Sequence, residues 1–363
     1  MSKPLSVSVI SPSYNQAEFL PRMFSSVSQQ TLQPSEHLVF DPGSTDGSRD
    51  IAAATENVTL IAESDSGQAD AVARGMLEAS GDIIAWLNSD DEYYDDTVFS
   101  DVAEAFASDE KPDIVFGEGI YVGKTGEFLR DAYVMQNPAE MSWRLAKEVG
   151  ILQPATFISK KLIDKIGPVD RDLQFCMDYE FWVRAHQSGA KFLRLNRPLA
   201  RARYYADNKT LGQRDRSIIE VIHMLKRRFG FAHYQWVKCL ADFQINGNDG
   251  ILKHFSTTDV DAALLEMRTH ELLLAINGDY NATQRIKAEQ NTKLPGKTVD
   301  IFKEEYGHHS AVYSRPIAEE SAPPPNTQCY TVGPQRWAFN RTWLNETTLL
   351  KDYIRTAKAM FAS

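Results

Sequence analysis

The opening quarter of the chain repeats one pattern, a short apolar run followed by a polar loop and then a helix-like stretch. Residues 6–10 (SVSVI), 37–40 (HLVF), 58–62 (VTLIA) and 83–87 (IIAWL) are too short for free-standing helices and fit strands. The last run is apolar throughout, as expected of a strand buried on both faces. Residues 17–29, 49–55 and 69–79 read as the intervening helices. The first carries Phe19, Leu20, Met23, Phe24 and Val27 on one side, the second follows a loop dense in capping residues, and Gly81 closes the third. Strand-then-helix units in succession predict a parallel sheet with right-handed crossovers. Its carboxyl edge gathers four polar loops, 11–15 (SPSYN), 41–48 (DPGSTDGS), 63–68 (ESDSGQ) and 88–91 (NSDD). That edge is where open α/β sheets bind ligands.

Further on, Val98, Val102, Ala103 and Phe106 mark an amphipathic helix over 97–107. A strand at 113–116, a hairpin over 118–128 turning at 123–126, and a strand at 155–159 follow. A short helix at 161–166 meets the Gly167-Pro168 break, another helix runs from 178 to about 187, and strands at 191–195 and 199–205 close the region. Beyond about residue 211 the periodicity turns helical, over 217–229 and over 259–276, the latter behind capping candidates at 256–258. Residues 321–325 (SAPPP) read as an extended linker. Leu349, Leu350, Tyr353, Ile354, Ala357, Met360 and Phe361 stripe a last helix, which fits core packing or a partner or membrane surface. The expected organisation is an α/β domain over 1–210 and a mainly helical extension over 211–363, with no internal repeat.

At 363 residues and 43% hydrophobic content, the chain can bury one large core and a smaller one. A net charge of −10 argues against nucleic acid as a partner, although Lys226-Arg227-Arg228 is locally basic. Cys176, Cys239 and Cys329 are scattered and odd in number, so they form neither a disulfide framework nor a zinc spacing and suggest a reducing compartment. No run approaches the roughly 20 apolar residues of a membrane span. The start, Met1-Ser2-Lys3-Pro4, leads into a strand and not into a signal peptide. A cytoplasmic protein is therefore expected, in which the Asn-X-Thr triplets at Asn57, Asn208, Asn281, Asn340 and Asn345 carry no glycosylation reading.

Asn88-Ser89-Asp90-Asp91 brings acids together at a strand end, where they repel unless a cation or a proton intervenes. Mg2+ or Mn2+ takes oxygen ligands and usually keeps substrate phosphate oxygens in its shell. Asp90 is the direct-ligand candidate, with Asn88, two positions earlier, on the same side of an extended chain. Capping of the helix at 97–107 is the bland reading of the same residues. Transfer chemistry also needs a base. Asp178 follows the apolar lead-in Phe175-Cys176-Met177, which would raise a carboxylate's pKa, but an acid at a helix start is as often only a cap. Glu180 is the weaker candidate, leaving the helix about 200° around from Asp178.

The segment from about residue 6 to 210 resembles the family 2 glycosyltransferases of GT-A fold, and looks most like the bacterial branch that builds capsules, lipopolysaccharide and other exopolysaccharides. Six blocks carry the resemblance: VSVISPSYN at 7–15, DPGSTDGS at 41–48, ESDSGQADAVARG at 63–75, IIAWLNSDD at 83–91, QPATF at 153–157 and MDYEFWVR at 177–184. The resemblance implies a Rossmann-like, mostly parallel central sheet flanked by helices. It implies that Pro12, Tyr14 and Asp41 hold the nucleotide base and Asp65 the neighbouring part of the nucleotide, with Gln68 among the nucleotide-sugar contacts. Asn88-Ser89-Asp90 occupies the Asp-X-Asp position, so Asp90 becomes the metal ligand, Asn88 lies near the ribose, Asp91 faces the donor sugar and Asp178 matches the catalytic base.

The implied reaction is a single displacement with inversion, from a nucleotide diphosphate sugar, most often a UDP-sugar, to a glycan or lipid-linked acceptor. It would take place at the cytoplasmic face of the inner membrane, with peripheral membrane contact. Three departures stand out: Pro42 where a second Asp is common, Asn88 for the first acid of Asp-X-Asp, and Tyr205 where relatives often carry a His. The last two predict weaker Mn2+ or Mg2+ binding and leave open a degenerate domain acting as a scaffold. A nucleotidyltransferase would want a Gly-rich, basic loop after the first strand, and 11–15 is neither.

Overall fold

The computed structural model describes residues 5–205, 209 and 213–246, the helical positions Leu265, Thr269, Leu272, Leu273 and Ile276, and strands at 314–317, 327–332 and 335–340. The expected linker at 321–325 and the expected last helix with its apolar stripe lie outside the described residues, as does most of the helix expected over 259–276. Two compact units result, Met1–Met224 and Leu225–Ser363.

The first unit is built on a nine-stranded sheet. Strands β1 (Val7–Pro12), β2 (Glu36–Phe40), β3 (Val58–Ile61) and β4 (Ile83–Trp86) lie parallel in the order β3-β2-β1-β4. Helices α1 (Leu20–Ser28), α2 (Ser48–Ala54) and α3 (Gln68–Glu78) cross between them. Every residue of β1 and β4 is buried, as their apolar character requires of strands covered on both faces. The register sets Pro12 beside Phe40 and Ile10 beside Trp86, so the carboxyl ends come level and their loops form one rim.

The second half of the sheet adds antiparallel pairings. β8 (Thr156–Ser159) runs against β4 and against β6 (Ile114–Val122), which lies parallel to β9 (Phe192–Arg203). β5 (Glu92–Tyr93) and β7 (Phe128–Asp131) attach antiparallel to β9 and β6. The two strands expected over 191–205 are one element. Leu195 pairs with Gly117 and Pro198 with Glu118, so a bulge takes up Asn196 and Arg197 where proline offers no N–H to the ladder. Around the sheet lie α4 (Val98–Ala107), α5 (Met141–Lys147), α6 (Lys160–Ile166) and α7 (Met177–Gln187). Sequence periodicity predicts no element at α5, whose buried Met141, Leu145 and Ala146 span too short a stretch to make a pattern.

Farther on, the helix Arg214–Phe229 begins three residues before the expected 217. The helix Tyr234–Asn246 and three antiparallel strands, Ser314–Ile317, Thr327–Val332 and Gln335–Asn340, add to the helical content expected there.

Glu180, the weaker base candidate, is fully buried and has a structural task. It accepts from Arg184 Nε at 3.2 Å and Nη2 at 3.1 Å. Arg184 also donates to the carbonyls of Ile166 (2.5 Å), Gly167 (3.2 Å) and Pro168 (2.6 Å), which pins α7 to the end of α6. Removing one partner of such a pair strands the other charge in the core. Glu180→Ala is therefore expected to lower unfolding free energy by about 3 kcal/mol in a urea titration.

Candidate active site

The loops after β1 and β2 are stitched together by Asp41, which is buried. Its Oδ1 accepts from the backbone N–H groups of Ser44 (2.8 Å) and Gly43 (3.2 Å), and its Oδ2 from the hydroxyls of Ser44 (2.7 Å) and Ser13 (2.9 Å). Four donors fill the lone pairs of a carboxylate. Asp41 thus shapes the rim on which a base would rest, and the base contact expected of it has to come from around it. Asn15 holds the same two loops, accepting from Thr45 N at 3.0 Å while its own N–H donates to Ser44 Oγ at 2.7 Å. Its φ of 53° is the left-handed conformation that asparagine tolerates. Tyr14, next to Asn15 on the first loop, is 61% exposed. Pro12 is buried, and its carbonyl accepts from Ser89 Oγ, tying the first loop to the acidic corner.

At that corner the structure brings Gln68, Asn88 and Asp91 into one network. Asn88 Oδ1 accepts from Trp86 Nε1 (3.0 Å) and Gln68 Nε2 (3.1 Å), and its Nδ2 donates to Gln153 Oε1 (2.9 Å) and Asp91 Oδ2 (3.2 Å). Gln153 is oriented by its own Nε2, which donates to Trp86 O at 2.6 Å. Its oxygen therefore faces position 88 and requires a donor there, which asparagine supplies and aspartate could not. Asn88, expected near the ribose and as a partner ligand, has every polar position engaged. Asp91 is buried and accepts from Arg203 N at 2.9 Å as well as from Asn88. Loss of solvent, and then the neighbouring Asp90 charge, push its carboxyl well above the ordinary range.

Asp90 is different. Among the described residues its carboxylate accepts from Tyr205 Oη at 3.3 Å and from its own backbone N–H, and burial raises its pKa. Such an under-satisfied carboxylate at a ligand-binding edge fits a hard cation completed by substrate phosphate and water. Among the described residues no group of three or more acidic, His or Cys side chains is placed to hold a metal alone. Tyr205, where the resemblance led one to look for a histidine, meets Asp90 as a hydroxyl donor. Asp65, half-buried on the third loop, accepts from Gly67 N at 2.9 Å, and burial, with Asp70 and Asp41 nearby, raises its pKa.

Asp178 stands in the first turn of α7. Its Oδ1 accepts from Tyr179 N at 2.7 Å, its own backbone N–H also donates to the carboxylate, and among the described residues no side chain does. Burial pushes its carboxyl up to about 6. The charges of Asp91 and Asp178 both add to the upward shift that burial gives Tyr121 of β6.

Sequence reasoning missed several residues here. Arg203, whose side chain is 1% exposed, donates from Nε to Asp90 O at 2.8 Å and from Nη1 to Gly123 O (3.1 Å) and Lys124 O (3.0 Å), and it pairs with Glu92. Lys209 Nζ donates to Gln68 Oε1 at 3.2 Å. Gln153 was legible as part of the QPATF block but without a role, and Glu220 not at all, since a lone polar residue carries no signal until the fold supplies its partners.

Residues 8–167 match the family described as Glycosyl transferase family 2. An uncharacterized glycosyltransferase of Mycobacterium tuberculosis is 30% identical over 193 residues, covering 51% of this chain and 70% of that one. A PGL/p-HBAD biosynthesis glycosyltransferase of Mycobacterium bovis is 29% identical over 195 residues, covering 52% and 73%. Among solved structures, residues 1–349 of S. aureus TarS superpose with a TM-score of 0.50 at 15% identity, over 87% of this chain and 95% of that one. The complex of that protein with UDP-GlcNAc gives 0.50 at 16% identity, over 77% and 92%. The chain spans 55% of the longer TarS structure. The protein belongs to glycosyl transferase family 2: it is a glycosyltransferase, and its fold is GT-A. Among the described residues no helix is long and apolar enough to cross a membrane.

An acid whose pKa rises on folding costs stability once both states would otherwise be ionised. For Asp178 the cost grows between the ordinary carboxylate value and about 6, and is complete above that. Asp178→Asn is therefore expected to melt higher than the native protein at pH 8, with the difference vanishing below about pH 4. Differential scanning fluorimetry across pH reads it.

Proposed function

We propose that the protein transfers a sugar from a nucleoside diphosphate sugar, a UDP-sugar by preference, to a hydroxyl of a glycan or lipid-linked acceptor in bacterial surface polysaccharide synthesis. The observation that carries this reading is Asp178, a half-buried carboxylate in the first turn of α7 that takes only backbone hydrogen bonds among the described residues and whose pKa is pushed up to about 6. A base poised near the working pH is what hydroxyl activation needs.

In the proposed step Asp178 takes the proton of the acceptor hydroxyl as its oxygen attacks the anomeric carbon. The bond from that carbon to the diphosphate breaks, and its electron pair leaves with the nucleoside diphosphate, so the configuration inverts. Tyr14 offers an exposed ring for the base, and the loops shaped by Pro12 and Asp41 support it. Asp65 and Gln68 stand on the nucleotide side, and Asn88 holds Gln68 in place. Each carboxylate oxygen of Asp91 keeps one lone pair for a sugar hydroxyl. Mn2+ or Mg2+, held by Asp90 with substrate oxygens, would supply positive charge to the departing diphosphate. The likeness to the protein solved in complex with UDP-GlcNAc supports the donor class. A lipid-linked acceptor would bring the protein to the cytoplasmic face of the membrane as a peripheral enzyme.

Asp178→Asn is expected to reduce transfer by at least about 1000-fold while donor affinity, read by thermal shift against UDP-, GDP-, CMP- and dTDP-sugars with and without Mn2+, stays within about threefold. Full transfer by the variant would remove Asp178 as the base. Absence of turnover by the native protein with every donor would favour a scaffold.

A further inference from the structure

We propose that Glu220 is a positioning residue for Asp178, so that the helix Arg214–Phe229 is part of the transfer machinery. The inference rests on the reading of Asp178 as the base. The segment leading into α7 turns three successive backbone N–H groups toward one carboxylate. Glu220 Oε1 accepts from Gln174 N at 2.7 Å, and Oε2 accepts from Phe175 N at 2.6 Å and Cys176 N at 2.9 Å. Hydrogen bonds to an ionised acceptor are short and strong, and three on one group fix the path of a loop. That loop needs an outside partner. Cys176 is the N-cap of α7, its φ of −117° and ψ of 28° lie outside the helix, and it makes no side-chain capping bond. Asp178 follows two residues later, so the direction in which its carboxylate points depends on where Glu220 holds residues 174–176.

The same lead-in touches the donor side. Lys209 Nζ lies 5.5 Å from the centre of the Phe175 ring and donates to Gln68, which donates to Asn88. Residues 174–176 thus lead into the proposed base and touch, through Lys209, the nucleotide-sugar corner, and Glu220 is the group that holds their backbone. Nothing in the family match, which ends at residue 167, or in the expected domain limit at 210 includes this helix. Electrostatically, Asp178 is influenced by the Glu220 charge from that helix and itself acts on Tyr121 of β6 and on Cys176 of its lead-in, while Glu220 also acts on Lys209. The negative charge of Glu220 adds to the upward shift that burial gives Asp178.

Full-length Glu220→Gln keeps the shape and removes the charge. It is expected to lower kcat by about ten- to a hundredfold, with donor KM within about twofold, and to move the acid limb of the kcat–pH profile to lower pH. Glu220→Asp, which keeps the charge, should return the acid limb toward the native position. An acid limb that stays in place in Glu220→Gln overturns the proposal, whether or not the melting temperature falls, since a merely structural bond would leave the titration of Asp178 alone. Asp178→Asn, run alongside, separates the two ideas. If it retains transfer, the base assignment fails. If it is inactive while Glu220→Gln matches the native profile, only the role of Glu220 fails.

Discussion

Adjacent carboxylates at the end of a buried strand repel each other, and in this protein the corner they form is held by Arg203. Its backbone N–H reaches Asp91 and its Nε the carbonyl of Asp90, while the rest of the guanidinium is spent on the turn after β6 and on Glu92. The guanidinium also lies 5.1 Å from the centre of the Phe19 ring, and Phe19 packs on Tyr205, the hydroxyl partner of Asp90. One buried cation therefore fixes the acidic corner, the hairpin beside it and the entry to α1. A planar five-donor group suits that task where a lysine would not. Arg203 and Asn88 each take one oxygen of Asp91, while the carboxylate of Asp90 meets only Tyr205 among the described side chains.

The neutral residue at position 88 then makes physical sense. Gln153 is locked by the Trp86 carbonyl and presents an oxygen, so a carboxylate at 88 would face that oxygen and Asp91 together. Asparagine satisfies both and still receives Trp86 Nε1 and Gln68. The departure from two acids to one is matched by its surroundings, as a site loosened by drift would not be. It also gives Asn88 the task of ordering Gln68.

The parallel half of the sheet and its four rim loops were legible because each strand is a bounded apolar run and each loop a cluster of turn formers. The antiparallel half was less so. β7 is exposed along its whole length and has no apolar alternation, and the bulge that joins the expected strands into β9 arises only when Pro198 meets Glu118. Asp90, Asp91 and Asp178 could be named from sequence because acids after apolar runs are conspicuous. What each does could not. Asp41 and Glu180 look alike as letters, yet one is saturated by hydroxyls and amides and the other by a guanidinium. Arg203, Gln153 and Glu220 gain meaning only from partners 65 to 113 or some 45 residues away along the chain.

A single base and an open donor corner amount to the claim that one displacement completes the reaction. The anomeric configuration of the first-formed product, followed by proton NMR before any mutarotation or further processing, tests that claim most directly. Inversion relative to the donor is predicted. A product that retains the donor's configuration would contradict it.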